Sequence, residues 1–175
     1  PNPVAAKARA AGIPIIADVE LLVRQNPQAR FIGITGTNGK STCTALTAHV
    51  IKQAGLPMAM GGNIGIPALA LPKLPAGGVY VLELSSYQLE LMQTPGIDAG
   101  LLLNITPDHL SRHGGLSGYI DAKLRIFARQ SVGNLALVGV DDEHGKTIAA
   151  ALTNHSRATV LPVTTARPLE HGISA

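Results

Sequence analysis

The 175-residue sequence contains no tryptophan, and aromatic residues make up only 3% of it, so its core must be built from aliphatic side chains. Charge is also sparse. Asp, Glu, Lys and Arg together reach 14%, with a formal net charge of +3. The basic residues are scattered, without the stripe and interleaved aromatics that a nucleic-acid surface requires, which argues against such a partner. The single cysteine, Cys43, cannot form an internal disulfide and favours a reducing compartment. No apolar run reaches the ~18 residues of a membrane span, and no signal peptide is visible. A cytoplasmic protein with no membrane partner is the expectation.

What is present is 46% hydrophobic residues and a length that can bury roughly 70% of the unfolded surface. Apolar runs at 31–35, 57–60, 79–83, 100–105, 135–140 and 158–162 read as strands. Most are followed by polar or glycine-rich loops, several by Ala-rich helical patterns. This alternation predicts an α/β fold with a mainly parallel sheet flanked by helices. Asn2 caps a short helix with Pro3 at its first position, and Gly12 ends it. Asp18 caps a second short helix through Arg24. A longer helix is expected from Lys40 to Ala54, with Cys43, Leu46 and Val50 on its inner face. Another follows Ser117, with Ile120, Leu124 and Phe127 as an apolar stripe. Lys123 lies beside that stripe, and Arg125 and Arg129 point away from it. The chain opens on Pro1-Asn2-Pro3 and closes on a turn-like tail at 167–175, which suggests an excerpt of a longer protein.

The most informative stretch is "ITGTNGKST" at 34–42. A strand, a glycine-rich turn and a helix N-terminus present backbone N–H groups and a positive dipole end to an anion. Lys40 adds a charge that reaches the β- and γ-phosphates, and the Ser41 hydroxyl can ligate Mg²⁺. The spacing departs from the usual P-loop, which has glycine where this chain has Ile34. There is no Asn-Lys-X-Asp guanine motif, so a switch GTPase is excluded. A carboxylate at a strand end could hold Mg²⁺, and two places offer one: Glu83 at the end of "VYVLE", and Asp141 or Asp142 at the end of "LALVGVDD". Spacing leaves that choice open. The phosphate loop, Asn63, Glu83 and His109 all follow predicted strands, so in a parallel sheet they share one edge, where ligands bind.

Read together, "GTNGKST" at 36–42, "GGNIG" at 61–65, "LELSSYQLE" at 82–90, "NITPDHLSRH" at 104–113 and "YIDAKLRIF" at 119–127 resemble the central ATPase domain of the Mur ligases, which add amino acids to the peptidoglycan precursor. The likeness covers roughly residues 19 to 150. In the related folylpolyglutamate synthases Gly-Lys is typically followed by Gly-Ser, and Ser41-Thr42 argues against them. The resemblance implies an incomplete central ATP-binding domain at 19–175, preceded at 1–18 by a remnant of an N-terminal uridine-binding domain and linker. It implies a shortened phosphate loop in which Gly36, Thr37, Asn38, Gly39, Lys40, Ser41 and Thr42 bind ATP. Glu83 then becomes the Mg²⁺ carboxylate beside Ser41, and Asp141 and Asp142 become loop acids.

The resemblance further implies that Asn63 and Ser85 contact substrate, although Asn63 also suits a turn and Ser85 a helix cap. His109 ligates a second Mg²⁺, and Lys123, carbamylated by CO₂, presents an anion to it. The bland alternative for Lys123 is a stem covering apolar surface while the amine reaches water. Lys40, His109 and Lys123 would be the catalytic set. One departure is Ser111, where the family commonly has Asp; this removes a charge beside Arg112. The pairing of "LELSSYQLE" with "GNIG" points to D-glutamate addition to UDP-N-acetylmuramoyl-L-alanine through an acyl phosphate, by a monomer using ATP and Mg²⁺. A sister ligase adding another amino acid, or a phosphate-binding fragment that is inert alone, are the competing readings. His49, His113, His144, His155 and His171 carry no such support.

Overall fold

The computed structural model describes residues 2–93, 96–166 and 168–174. Two short helices, α1 (Pro3–Ala10) and α2 (Asp18–Gln25), precede the sheet. Asn2 caps α1 through its side-chain oxygen, which accepts from the Val4 N–H at 2.9 Å. The helix α1 buries no residue, whereas α2 buries Val19, Leu22 and Val23. Then come β1 (Arg30–Thr35), α3 (Lys40–Gln53), β2 (Met58–Gly62), β3 (Val79–Glu83), α4 (Ser86–Glu90) and β4 (Ala99–Leu102). They are followed by α5 (Leu110–His113), α6 (Leu116–Leu124), β5 (Leu135–Gly139), α7 (Glu143–His155), β6 (Thr159–Thr164) and β7 (Ile173–Ser174).

The strands form one seven-stranded sheet in the order β2-β3-β1-β4-β5-β6-β7, with every pair parallel. The expected sheet is borne out, and the short β7 arises within a tail read as turn-like. The observed β4 stops at Leu102 although the apolar run continues to Ile105. There the chain leaves the ladder to wrap over the phosphate loop.

Side-chain alternation divides the core. On β3, Val79 and Val81 pack toward α3 with Ile34 and Ala48, while Tyr80 and Leu82 face the larger cluster with Val19, Leu89, Ile126 and Phe127. All five β3 residues are buried, as a central parallel strand with both faces covered requires. Successive parallel strands joined by right-handed crossovers place every strand's carboxyl end on one edge. The connection after β1 runs to one side of the sheet, to β2, and that after β3 returns past β1 to β4. This reversal makes a crevice at the carboxyl end of β1.

Two sequence expectations are corrected. The inner face of α3 is formed by Thr44 and Ala48, with Cys43 and Ile51 half-buried, whereas Leu46 and Val50 are exposed at 62% and 57%. The helix is held at its start by the phosphate loop, and that anchor sets its rotation independently of the apolar count. On α6 the buried residues are Tyr119, Ala122 and Lys123, with Ile120 and Leu124 only partly covered. Lys123 is 2% exposed, so the reading in which its amine reaches water is overturned.

Candidate active site

Four loops meet at the carboxyl edge of the adjacent strands β2, β3, β1 and β4. The phosphate loop leaves β1 after Thr35 and enters α3 with Gly39 at the N-cap. The Lys40 ammonium folds over this loop, donating to the Thr37 carbonyl at 2.9 Å and the Gly36 carbonyl at 3.2 Å. Ser41, in the first turn of α3, donates its hydroxyl to Glu83 Oε2 at 2.7 Å. The other Glu83 oxygen accepts from Asn63 Nδ2 at 2.8 Å. Asn63 is brought there by a tight approach of two backbones. Gly62, at φ 98°, lies so near the Glu83 carbonyl that an added Cβ would come within 2.4 Å of it. Ser41, Glu83 and Asn63, named from three separate motifs, therefore form one hydrogen-bonded cluster, and Lys40, next to Ser41 in the chain, folds over its own loop.

Asp141 and Asp142 are engaged elsewhere. Asp141 accepts from the Thr164 hydroxyl and from the Thr165 N–H and hydroxyl, which hold its carboxyl below the usual range. Asp142 caps α7 through the Gly145 N–H at 2.7 Å and accepts from the Ile105 N–H at 3.1 Å. Both are structural acids. Ser85 caps α4 in a reciprocal capping box with Gln88. Its hydroxyl is used in that cap, as the alternative reading of Ser85 anticipates.

The loop after β4 carries His109, held in the left-handed region at φ 50°, with its N–H donated to Asp108 Oδ1 at 2.8 Å. Such a conformation costs a non-glycine residue roughly 1–2 kcal/mol. The imidazole is about half exposed and lies 3.4 Å from Asp108 Oδ2. The Lys123 ammonium donates to the Gly36 carbonyl at 2.7 Å and the Thr35 hydroxyl at 3.3 Å. Burial, and then the positive charge of Lys40, push its pKa down from 10.5 to about 8, with Asp108 acting in the opposite sense. The Tyr119 ring links these groups. Its centroid lies 4.6 Å from Lys123 Nζ and 6.4 Å from the His109 ring, and its hydroxyl is 3.2 Å from the Thr37 hydroxyl.

Three residues here were not singled out from sequence: Asn104, Tyr119 and His113. Asn104 Oδ1 accepts from the Thr37 and Asn38 N–H groups. His113 lies beneath Tyr87 and Tyr119, with Nε2 3.0 Å from the Ser86 hydroxyl, and burial lowers its pKa. Arg112 pairs with Glu90 at 3.1 Å, while Ser111 is exposed. The only signal for Asn104 was its place at the head of the NITPDHLSRH stretch.

The donor set suits Mg²⁺, which prefers oxygen ligands from one or two carboxylates completed by phosphate and water. Ser41 and Glu83 supply an adjacent hydroxyl and carboxylate. Among the described residues no three His, Cys, Asp or Glu side chains converge as a self-sufficient metal cage. Near His109 the unmodified Lys123 ammonium cannot ligate a cation.

A parallel α/β sheet with a Gly-Lys-Ser turn after its central strand and a carboxylate on the neighbouring strand defines a nucleotide-phosphate-binding domain. The model of the Mur ligase middle domain matches residues 34–167, and the chain belongs to that family. It is 51% identical over its whole length to the UDP-N-acetylmuramoylalanine–D-glutamate ligase of Paramagnetospirillum magneticum and 49% identical to that of Rhodospirillum rubrum. The chain spans 38% and 37% of those two curated relatives. Among solved structures, a UDP-N-acetylmuramoyl-L-alanyl-D-glutamate–2,6-diaminopimelate ligase superposes with a TM-score of 0.62 at 27% identity, over 79% of this chain and 32% of that one. UDP-N-acetylmuramate:L-alanyl-γ-D-glutamyl-meso-diaminopimelate ligase from Neisseria meningitides superposes with a TM-score of 0.65 over 97% of this chain and 58% of its own. At 16% identity, that match is evidence of the fold alone.

Proposed function

We propose that the full-length protein joins D-glutamate to UDP-N-acetylmuramoyl-L-alanine at the expense of ATP, and that this chain supplies the phosphoryl-transfer half of the site. The observation that carries the reading is the Ser41–Glu83–Asn63 cluster on adjacent strand ends, beside the phosphate loop over which Lys40 folds, together with relatives about 50% identical that bear that name. The substrate carboxylate attacks the γ-phosphorus of ATP, ADP leaves, and an acyl phosphate forms. The D-glutamate amine then attacks the acyl carbon and expels inorganic phosphate, losing a proton as the amide forms. Such transfers depend on positioning and charge neutralisation more than on covalent help from the protein. Lys40 neutralises the migrating phosphoryl group, the α3 N-terminus holds the phosphates, and Asn63 orients Glu83 and the acceptor. Mg²⁺ held by Ser41 and Glu83, and a second ion near His109 and carbamylated Lys123, would supply further neutralisation. The assay is ADP release by the full-length protein. Release that requires both UDP-N-acetylmuramoyl-L-alanine and D-glutamate supports the reading, and equal release with another amino acid replaces it with a sister ligase.

The metal assignment has its own test. Glu83→Gln removes the carboxylate bonded to Ser41, whereas Asp141→Asn alters a loop contact with Thr164 and Thr165. The expected result is a rise of roughly tenfold or more in the Mg²⁺ needed for half-maximal activity in Glu83→Gln, with little change in Asp141→Asn. A reversal of the two effects would assign the metal to the later strand.

A division between an N-terminal remnant and the central domain is supported near residue 18 by α1, which buries nothing, beside α2, which begins at Asp18 and enters the core. We further propose that this chain alone is catalytically inert. A groove of about 270 Å³ is lined by Leu101, Leu103, Leu137 and Val163 and by Cys43 of α3. Its polar neighbours Asp141, Thr164 and Thr165 bond to one another, which leaves little with which to choose a base. Weak Mg-nucleotide binding with little preference between ATP and GTP is expected from the isolated chain by equilibrium titration. Amide product formed by this chain alone would contradict it.

A further inference from the structure

The phosphate loop is not held by its own turn alone. Its 36–38 segment lies against residues 103–106, the start of the loop that leads to His109. Gly36 packs so closely there that an added Cβ would sit 3.0 Å from Leu103 Cβ and 3.3 Å from the Asn104 nitrogen. Thr37 bridges the two loops through its hydroxyl, which donates to the Thr106 carbonyl and accepts the Thr106 N–H, both at 3.0 Å. At the centre is the Asn104 side chain. Its Oδ1 accepts from Thr37 N–H at 3.1 Å and Asn38 N–H at 2.9 Å, and its Nδ2 donates to the Asn38 carbonyl at 3.1 Å. The Asn104 backbone carbonyl also accepts from Thr37 N–H at 3.1 Å.

We propose that Asn104 is the positioning residue of the phosphate loop. Its amide fixes the 37–38 peptides, so that the N–H groups opening α3 and the Lys40 ammonium stand ready for the nucleotide phosphates. It does so from the loop that carries His109, tying the two halves of the site together. The pattern needs an acceptor for two N–H groups and, on a second atom of the same short side chain, a donor to one carbonyl, which a side-chain amide provides. A carboxylate there would keep the acceptors, lose the donor and set a negative charge beside the phosphates. The Thr37 and Asn38 N–H groups are thereby committed to Asn104, leaving phosphate contacts to the residues that follow. Without the clamp, nucleotide binding must itself order the loop, and that cost appears in affinity.

The inference rests on reading this loop as the nucleotide site, and its test measures Mg-ATP binding directly in the full-length protein, alongside KM values and the thermal midpoint. Asn104→Ala is expected to weaken Mg-ATP binding roughly ten- to hundredfold, since three hydrogen bonds are lost. KM for D-glutamate should stay within about twofold. Asn104→Asp, of nearly the same volume, is expected to weaken binding more for ATP than for ADP or AMP, with a deficit that added salt reduces. This second variant carries the test if the alanine protein fails to fold. Unchanged Mg-ATP affinity in the folded variants would overturn the proposal. So would a parallel rise in both KM values with a falling thermal midpoint, which marks a merely structural residue. A wild-type protein that binds Mg-ATP but forms no amide would remove the ligase reading and leave the Asn104 comparison intact. One that binds no Mg-ATP overturns both.

Discussion

Lys40→Ala in the full-length protein is expected to lower kcat by roughly 10³-fold or more, with the thermal midpoint nearly unchanged. The two halves of this expectation come from different observations. Lys40 Nζ bonds only to the carbonyls of its own loop among the described contacts, so truncation exposes no buried charge and opens no core cavity. The ammonium nevertheless lies over the phosphate loop, bonded to the Gly36 and Thr37 carbonyls, where the proposed reaction would move negative charge from ATP to the acceptor. A loss of this size requires a group that acts in the transition state. ADP release and thermal melting of the same preparation read the two quantities, and near-normal turnover with an unchanged midpoint would remove Lys40 from the chemistry.

Lys123→Ala is the second large effect. Its amine is buried against the phosphate loop and shares the Gly36 carbonyl with Lys40, an arrangement that places two cations on one acceptor. With the pKa near 8, roughly a tenth of the amine is neutral at pH 7, and this is the form that attacks CO₂. Under the proposed carbamylation, the new N–C bond would yield a carbamate and release a proton, converting a buried cation into an anion where the resemblance calls for a ligand to Mg²⁺. The sign for stability follows from the same shift. The folded state binds the proton less tightly than the unfolded chain, so the unmodified lysine destabilises the fold below about pH 8 and ceases to do so as pH rises toward 10.5. Activity of the alanine variant is expected to fall at least about a hundredfold and to recover in part with added short carboxylic acids, which supply the missing anion. Full activity without added acid would leave Lys123 as a structural tie between α6 and the phosphate loop.

The sheet was legible because buried parallel strands are nearly continuous apolar runs, and six of the seven strands follow such runs. The two-residue β7 has no run long enough to announce it. Helix faces were read less well. On α3 an apolar count chose Leu46 and Val50, yet the phosphate loop anchors the helix so that both face solvent. Of the stripe Ile120, Leu124 and Phe127, Phe127 is buried and the other two are partly covered, whereas Tyr119 and Lys123 are buried because each has a polar group to satisfy at the loop. For the site, the distinctive residues Ser41, Glu83 and Asn63 are legible in their motifs and are hydrogen-bonded to one another, with Lys40 over the adjoining loop. Asn104 was missed because its role lies in the backbone it clamps, and no spacing rule reveals which peptide a side-chain amide will face.

The most direct measurement follows oxygen. UDP-N-acetylmuramoyl-L-alanine labelled with ¹⁸O in its free carboxylate is incubated with the full-length protein, Mg-ATP and D-glutamate, and the inorganic phosphate released is analysed by mass spectrometry. If that carboxylate attacks the γ-phosphorus held over Lys40, one labelled oxygen leaves with each phosphate and ADP is the nucleotide product. Unlabelled phosphate, or label recovered in AMP, would contradict the account.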